Sequence, residues 1–101
     1  HFKEAKALMR KAMPVAQRVL GESQVTTLKM RMVYAKALYY DPGATLDNLR
    51  EAVTTLEETE RTARRVLGGA HPTTGGIEAG LRDARAALRA RKETPPPGGE
   101  A

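Results

Sequence analysis

The chain has 101 residues, room for one small domain with a modest core. Its aromatic residues are Phe2, Tyr34, Tyr39 and Tyr40, and it has neither Trp nor Cys. The core must therefore come from Leu, Val, Ala and Met, while disulfides, thiolate zinc sites and cysteine nucleophiles are excluded. The net charge of +5 is uneven. Residues 1–36 carry eight basic groups against two acidic, residues 37–68 four against six, and residues 69–101 five against four. Blocks of alternating sign can attract neighbouring helices or neighbouring molecules. No run of about 18 apolar residues exists, so no transmembrane helix is expected. The lack of cysteine fits a reducing compartment and favours an intracellular location. The helical pattern starts at once from His1, which reads as an excised fragment or a processed chain whose original N-terminus has been removed.

The periodicity predicts a first helix over about 2–20. Ala5, Leu8, Met9, Ala12, Ala16, Val19 and Leu20 recur at three- and four-residue steps as one apolar stripe. Pro14 interrupts it, and an interior proline costs about 3 kcal/mol. Strong helix formers on both sides favour a kinked continuous helix, the alternative being a new short helix from Pro14. Gly21 then stops it.

A second helix is expected over about 24–40, with Ser23 as its N-cap. Leu28, Met32, Ala35 and Tyr39 form one stripe, and Met30, Val33, Tyr34, Ala37 and Leu38 fill much of the rest. So apolar a helix needs contacts on two sides. Asp41-Pro42-Gly43 is a turn signal. The third helix, about 45–67, is capped by Thr45 or Asp47. Its inward face is Leu46, Leu49, Ala52, Val53, Leu56, Ala63, Val66 and Leu67, and Glu57/Arg61 and Glu60/Arg64 stand at favourable i,i+4 spacing.

The fourth helix runs from Pro72 or Thr73 to about Arg91, with Ile77, Leu81, Ala84, Ala87 and Leu88 facing inward. Gly75, Gly76 and Gly80 weaken its start by about 1 kcal/mol each relative to Ala. They imply either close backbone packing on the third helix or a soft, movable helix start. Residues 93–101 are rich in Pro and Gly and read as a disordered tail or linker, so the predicted domain covers residues 1–92.

The chain repeats itself with a period of 47 residues. Val19-Leu20-Gly21 falls on Val66-Leu67-Gly68, Glu4-Ala5 on Glu51-Ala52, Met9 on Leu56, and Thr26-Thr27 on Thr73-Thr74. Two helices per period is the design of a solenoid unit. The second copy, Val66-Leu67-Gly68-Gly69-Ala70-His71-Pro72-Thr73-Thr74, resembles the tetratricopeptide repeats (TPR) of the kinesin-light-chain type. The first copy keeps Val19-Leu20-Gly21 and Thr27 but has Gln24-Val25 where the family has His-Pro. The turn Tyr39–Leu46 is longer than the family's usual loop.

The resemblance covers residues 3–90. It implies an all-α fold of four helices, paired antiparallel and stacked as a short right-handed TPR-like solenoid. Residues 24–67 would be the complete repeat, and the first helices of successive repeats would line a concave groove. Groove positions in the family often carry paired asparagines; here they hold Met32-Val33 and Ala79-Gly80.

No catalytic or cofactor-binding constellation stands out, and neither metal nor cofactor is expected. His71 precedes Pro72 and reads as a turn residue, with no Cys, second His or carboxylate at ligand spacing. Gly68-Gly69 lacks the lysine and spacing of a phosphate loop. Asp41, Asp47 and Asn48 do not make a calcium loop.

The leading expectation is a non-catalytic scaffold that binds a protein partner or a neighbouring subunit through the unpaired edges of its first and last helices. Candidate contact residues are Met9, Met30, Met32, Tyr34, Tyr39 and Tyr40. The alternative is a basic module binding nucleic acid through Arg82, Arg85, Arg89 and Lys92, which share one helix face but have no aromatics between them for base stacking. A small structural subunit of a larger complex is the third reading.

Overall fold

The structure, a computed structural model, describes residues 2–21 and 24–93. Ser23, expected as an N-cap, and residues 94–101 of the expected tail lie outside the described residues. The fold is all-α, with four helices: α1 (Phe2–Leu20), α2 (Val25–Tyr40), α3 (Leu46–Leu67) and α4 (Pro72–Glu93).

Local chemistry explains each boundary. α1 runs through Pro14 without a break, so no second helix starts there. Gly21 ends it at φ +90°, and the Gly21 N–H donates to the Gln17 carbonyl. α2 starts from Gln24, whose extended backbone supplies no side-chain cap. The turn before α3 is built by Asp41: its carbonyl accepts from Ala44 N–H (3.0 Å) and its side chain from Gly43 N–H (2.8 Å). Thr45, not Asp47, caps α3, in a reciprocal box with Asn48. Gly68 ends α3 at φ +88°, and His71 Nδ1 caps α4 by accepting from Thr73 N–H (3.0 Å).

The 47-residue period is reproduced in this geometry. Gly21 and Gly68 share a positive φ that side chains rarely adopt. Their amides reach back to Gln17 and Arg64, and the first turns of α2 and α4 are closed by Leu28 N–H on Gln24 and by Gly75 N–H on His71. Each pair is one period apart.

Side-chain pairs give the orientations. Arg10 meets Tyr34 and Gln17 faces Arg31, so α1 and α2 are antiparallel. Glu57 meets Arg85 and Arg64 meets Glu78, so α3 and α4 are antiparallel as well. α4 also lies along α2 in parallel: Gly76 sits by Met32, and Gly80 by Tyr39. α2 thus packs on all three other helices, whereas among the described residues the backbone of α1 packs closely only along α2, with Arg10 reaching Glu51 of α3 through its side chain. The core is Leu28, Tyr34, Ala35, Leu38, Tyr39, Ala44, Leu49, Ala52, Leu56, Ala63, Ile77, Leu81 and Ala84.

Several expectations change here. On α1, Leu8, Val19 and Leu20 were expected inward but are exposed, and only Ala16 of the stripe is buried. The cause is the missing second neighbour. Val66 is exposed too, and Ala87 and Leu88 are half-buried. Glu57 pairs with Arg85 across the helix interface rather than with Arg61, while Glu60 does pair with Arg64 (3.3 Å).

The glycines of α4 do not mark a forced approach to α3. Gly75 has open space around it. A methyl on Gly76 would sit 3.7 Å from Met32 Sδ of α2, and one on Gly80 would sit 3.7–3.8 Å from Tyr39 Oη and Leu56, ordinary contact distances.

Candidate functional site

The candidate contact residues separate into two groups. Tyr34 and Tyr39 are buried, 3% and 8% exposed, so neither forms part of a free surface. The reason is α2's central place: Tyr34 is covered by α1 and α3, Tyr39 by α4. Met30 is half-buried. Tyr40 stays 53% exposed and makes an edge-to-face contact with Tyr39 (4.7 Å between ring centres).

Tyr34 is the centre of a polar tie between three helices. Its hydroxyl donates to Glu51 Oε2 of α3 and accepts from Arg10 Nε of α1 at 3.0 Å, and Arg10 Nη2 reaches Glu51 Oε1 at 3.3 Å. Burial, and then the bond to Glu51, raise the Tyr34 pKa; the bond to Tyr34 raises that of Arg10. A phenol held neutral between a carboxylate and a guanidinium ties the three helices together. The tie joins residues far apart in the chain, and nothing in the spacing of the sequence announces it.

The basic stripe of α4 is exposed at Arg82, Arg85, Arg89 and Lys92. It is not uniform, since Arg85 Nη2 is bound to Glu57 Oε2 at 3.0 Å. Arg91, outside the predicted stripe, donates to the Ala44 carbonyl (3.0 Å) and ties α4 to the turn before α3. A second group of cations, Arg31, Arg61 and Arg65, gathers with Glu58 and Thr62 between α2 and α3. Arg61 and Arg65 are one turn apart, a spacing legible in the sequence, but Arg31 joins them only through helix packing.

An uncovered apolar surface lies on α1. Leu8, Ala12, Val15, Ala16, Val19 and Leu20 form a shallow strip with Lys11 at its edge. Leu8 is 63%, Val15 48% and Val19 70% exposed. Val15 was not among the expected stripe residues. A signal for the strip existed: the apolar arc of α1, from Leu8 and Val15 round to Met9 and Met13, is wider than one neighbouring helix can cover.

Among the described residues, no three His, Cys, Asp or Glu gather as a metal site, and no helix is long and apolar enough to cross a membrane. Compared with known proteins, the chain matches no family model, no curated protein and no solved structure.

Proposed function

We propose that this chain is a non-catalytic helical-repeat scaffold that binds another protein. The observation that carries the reading is the α1 strip: a solvent-facing row of Leu and Val on a helix with one neighbour. Exposed apolar surface of this kind marks interaction sites in soluble proteins.

The tetratricopeptide reading of the kinesin-light-chain type belongs to the same proposal. Its support is the repeated helix-stop geometry at Gly21 and Gly68 and the parallel contact of α2 with α4, as expected of first helices in successive repeats. The groove positions hold Met32-Val33 and Ala79-Gly80, and Gly80 is buried between Tyr39 and Leu56. A peptide in the groove would find no amide pair there, so the edge of the stack is the better candidate contact.

Affinity capture with the full chain, combined with light scattering of the purified protein, tests the reading. The expected result is a specific, saturable protein partner. A chain that stays a dilute monomer and retains no partner sinks the scaffold reading. A salt-dependent affinity for single-stranded or duplex nucleic acid, lost on neutralising Arg82 and Arg89, would replace it with the nucleic-acid reading.

A further inference from the structure

The internal repeat gives a template for what belongs on α1. On α3, one period later, the residues matching Lys11, Ala12, Val15 and Ala16 are Glu58, Thr59, Thr62 and Ala63. That face of α3 is covered: Thr59 and Ala63 are fully buried, and Arg31 of α2 lies beside Glu58 and Thr62. A helix therefore sits on this face of α3, antiparallel to it. On α1 the same face carries apolar groups, Val15 for Thr62 and Leu8 for Thr55, and these two are exposed while Ala12 is half-buried and Ala16 buried.

The edge of the strip has a sign. Lys11 and Arg18 are seven residues apart, two turns along one side, about 10 Å by helical rise. Both are exposed, and neither has an acidic partner among the described residues. Arg10, by contrast, is turned to Tyr34 and Glu51 on another side of the helix.

We propose that the Leu8–Ala12–Val15–Val19 strip of α1 docks an amphipathic helix of a partner protein, seated on α1 as α2 sits on α3, with acidic residues along the edge that faces Lys11 and Arg18. The proposal rests on the scaffold reading above and names the chemistry of its partner. The strip from Leu8 to Leu20 is about 18 Å long, enough for three turns of such a helix. Ala12 and Ala16 in its middle let the two backbones approach closely, and Leu8, Val15 and Val19 supply the ridges.

Charge argues against a second copy of this chain as the occupant. An antiparallel two-fold pair through α1 would bring both Lys11–Arg18 edges to the same side of the interface. Head-to-tail stacking would bring the outer face of α4, with Arg82 and Arg89, onto a helix carrying Lys3, Lys6, Lys11 and Arg18. Like charges brought together in this way disfavour both arrangements.

The test uses the full chain and two synthetic amphipathic peptides of about 18 residues. Both have the same Leu/Ala stripe, one with Glu along its edges and one with Lys. Fluorescence anisotropy should show the Glu-edged peptide binding at least about tenfold more tightly. Val15→Asp should weaken it at least about tenfold, and the Lys11→Glu, Arg18→Glu double variant should reverse the preference between peptides. These residues are exposed, so circular dichroism and the thermal midpoint should stay those of the parent chain.

Equal affinity for both peptides, or binding unaffected by Val15→Asp, overturns the proposal. So does a dimer of the parent chain that Val15→Asp dissolves, because the occupant is then a second copy. If Val15→Asp still captures the partner of the parent chain, this face is wrong and the scaffold reading stands. If the parent chain captures nothing and neither peptide binds, both fall.

Discussion

α1 and α3 match at several positions 47 residues apart, and they lie in different surroundings. Both close on Val-Leu-Gly with the glycine at nearly the same positive φ. Yet Leu56 of α3 is fully buried while its counterpart on α1, Met9, is half-buried, and Thr59 is fully buried where Ala12 is half-exposed. The helices differ in neighbours: α3 lies between α2 and α4, whereas among the described residues α1 packs closely only along α2 and reaches α3 through the Arg10 side chain. Equivalent sequence makes equivalent helices, but burial depends on what packs on either side. At these matched positions α1 carries Leu8 and Val15 where α3 carries Thr55 and Thr62.

The sharpest test of that comparison is truncation at the matched core positions. Leu56→Ala should destabilise the chain by about 2–5 kcal/mol, because the cavity opens between α3, Gly80 and Tyr39. Met9→Ala, half in solvent, should cost less than half as much. Urea unfolding of both variants measures this, and equal losses would break the asymmetry between the helices.

Next come the two helix stops. Gly68 combines φ 88° with ψ 157°, a region nearly closed to other residues. Gly68→Ala should cost about 1–3 kcal/mol, and Gly21→Ala should be destabilising as well because its φ is the same. An unchanged midpoint for Gly21→Ala would show that the first copy does not depend on the geometry of the second.

The tyrosines of α2 face the two sides and should respond with opposite sign. Tyr34→Phe leaves Glu51 with Arg10 but without the Tyr34 donor on Oε2, and takes a hydrogen bond from Arg10, at a cost of about 1–2 kcal/mol. Tyr39 has a buried hydroxyl with no partner among the described residues, so Tyr39→Phe should be neutral or stabilising by up to about 1 kcal/mol. Thr27 and Thr74, one period apart, are likewise buried with unpartnered hydroxyls. Thr27→Val and Thr74→Val should shift the unfolding midpoint equally, upward if at all.

The smallest effect is on pH. Burial is the first cause of the raised pKa of both Tyr34 and Tyr39, and for Tyr39 nearby Tyr40 and Asp83 add to it. Both phenols hold their protons longer in the folded chain than in the unfolded one, where loss occurs near pH 10. Their contribution is complete below that value and falls as pH rises above it. Unfolding followed between pH 8 and pH 11 should show a loss of stability confined to the alkaline side, and Tyr39→Phe should make that loss smaller.

The sequence by itself determined the local features. Helix stops at Gly21 and Gly68 and the turn at Asp41 follow from short-range chemistry, because turns and caps are made within a few residues. The 47-residue period is read directly off the chain. The sequence offers both Thr45 and Asp47 as the start of α3 and marks His71 only as a turn residue. Tertiary structure alone decided which apolar side chains are covered. Periodicity marks an apolar face but not how many neighbours it meets, so Leu8, Val19 and Leu20 read as core and lie in solvent. Tyr34 and Tyr39 read as contact residues and lie inside. Glu57 had a suitable arginine one turn away and took Arg85 from the next helix. Those outcomes depend on where α2 and α4 lie, and packing between helices far apart in the chain cannot be read from the spacing within any one of them.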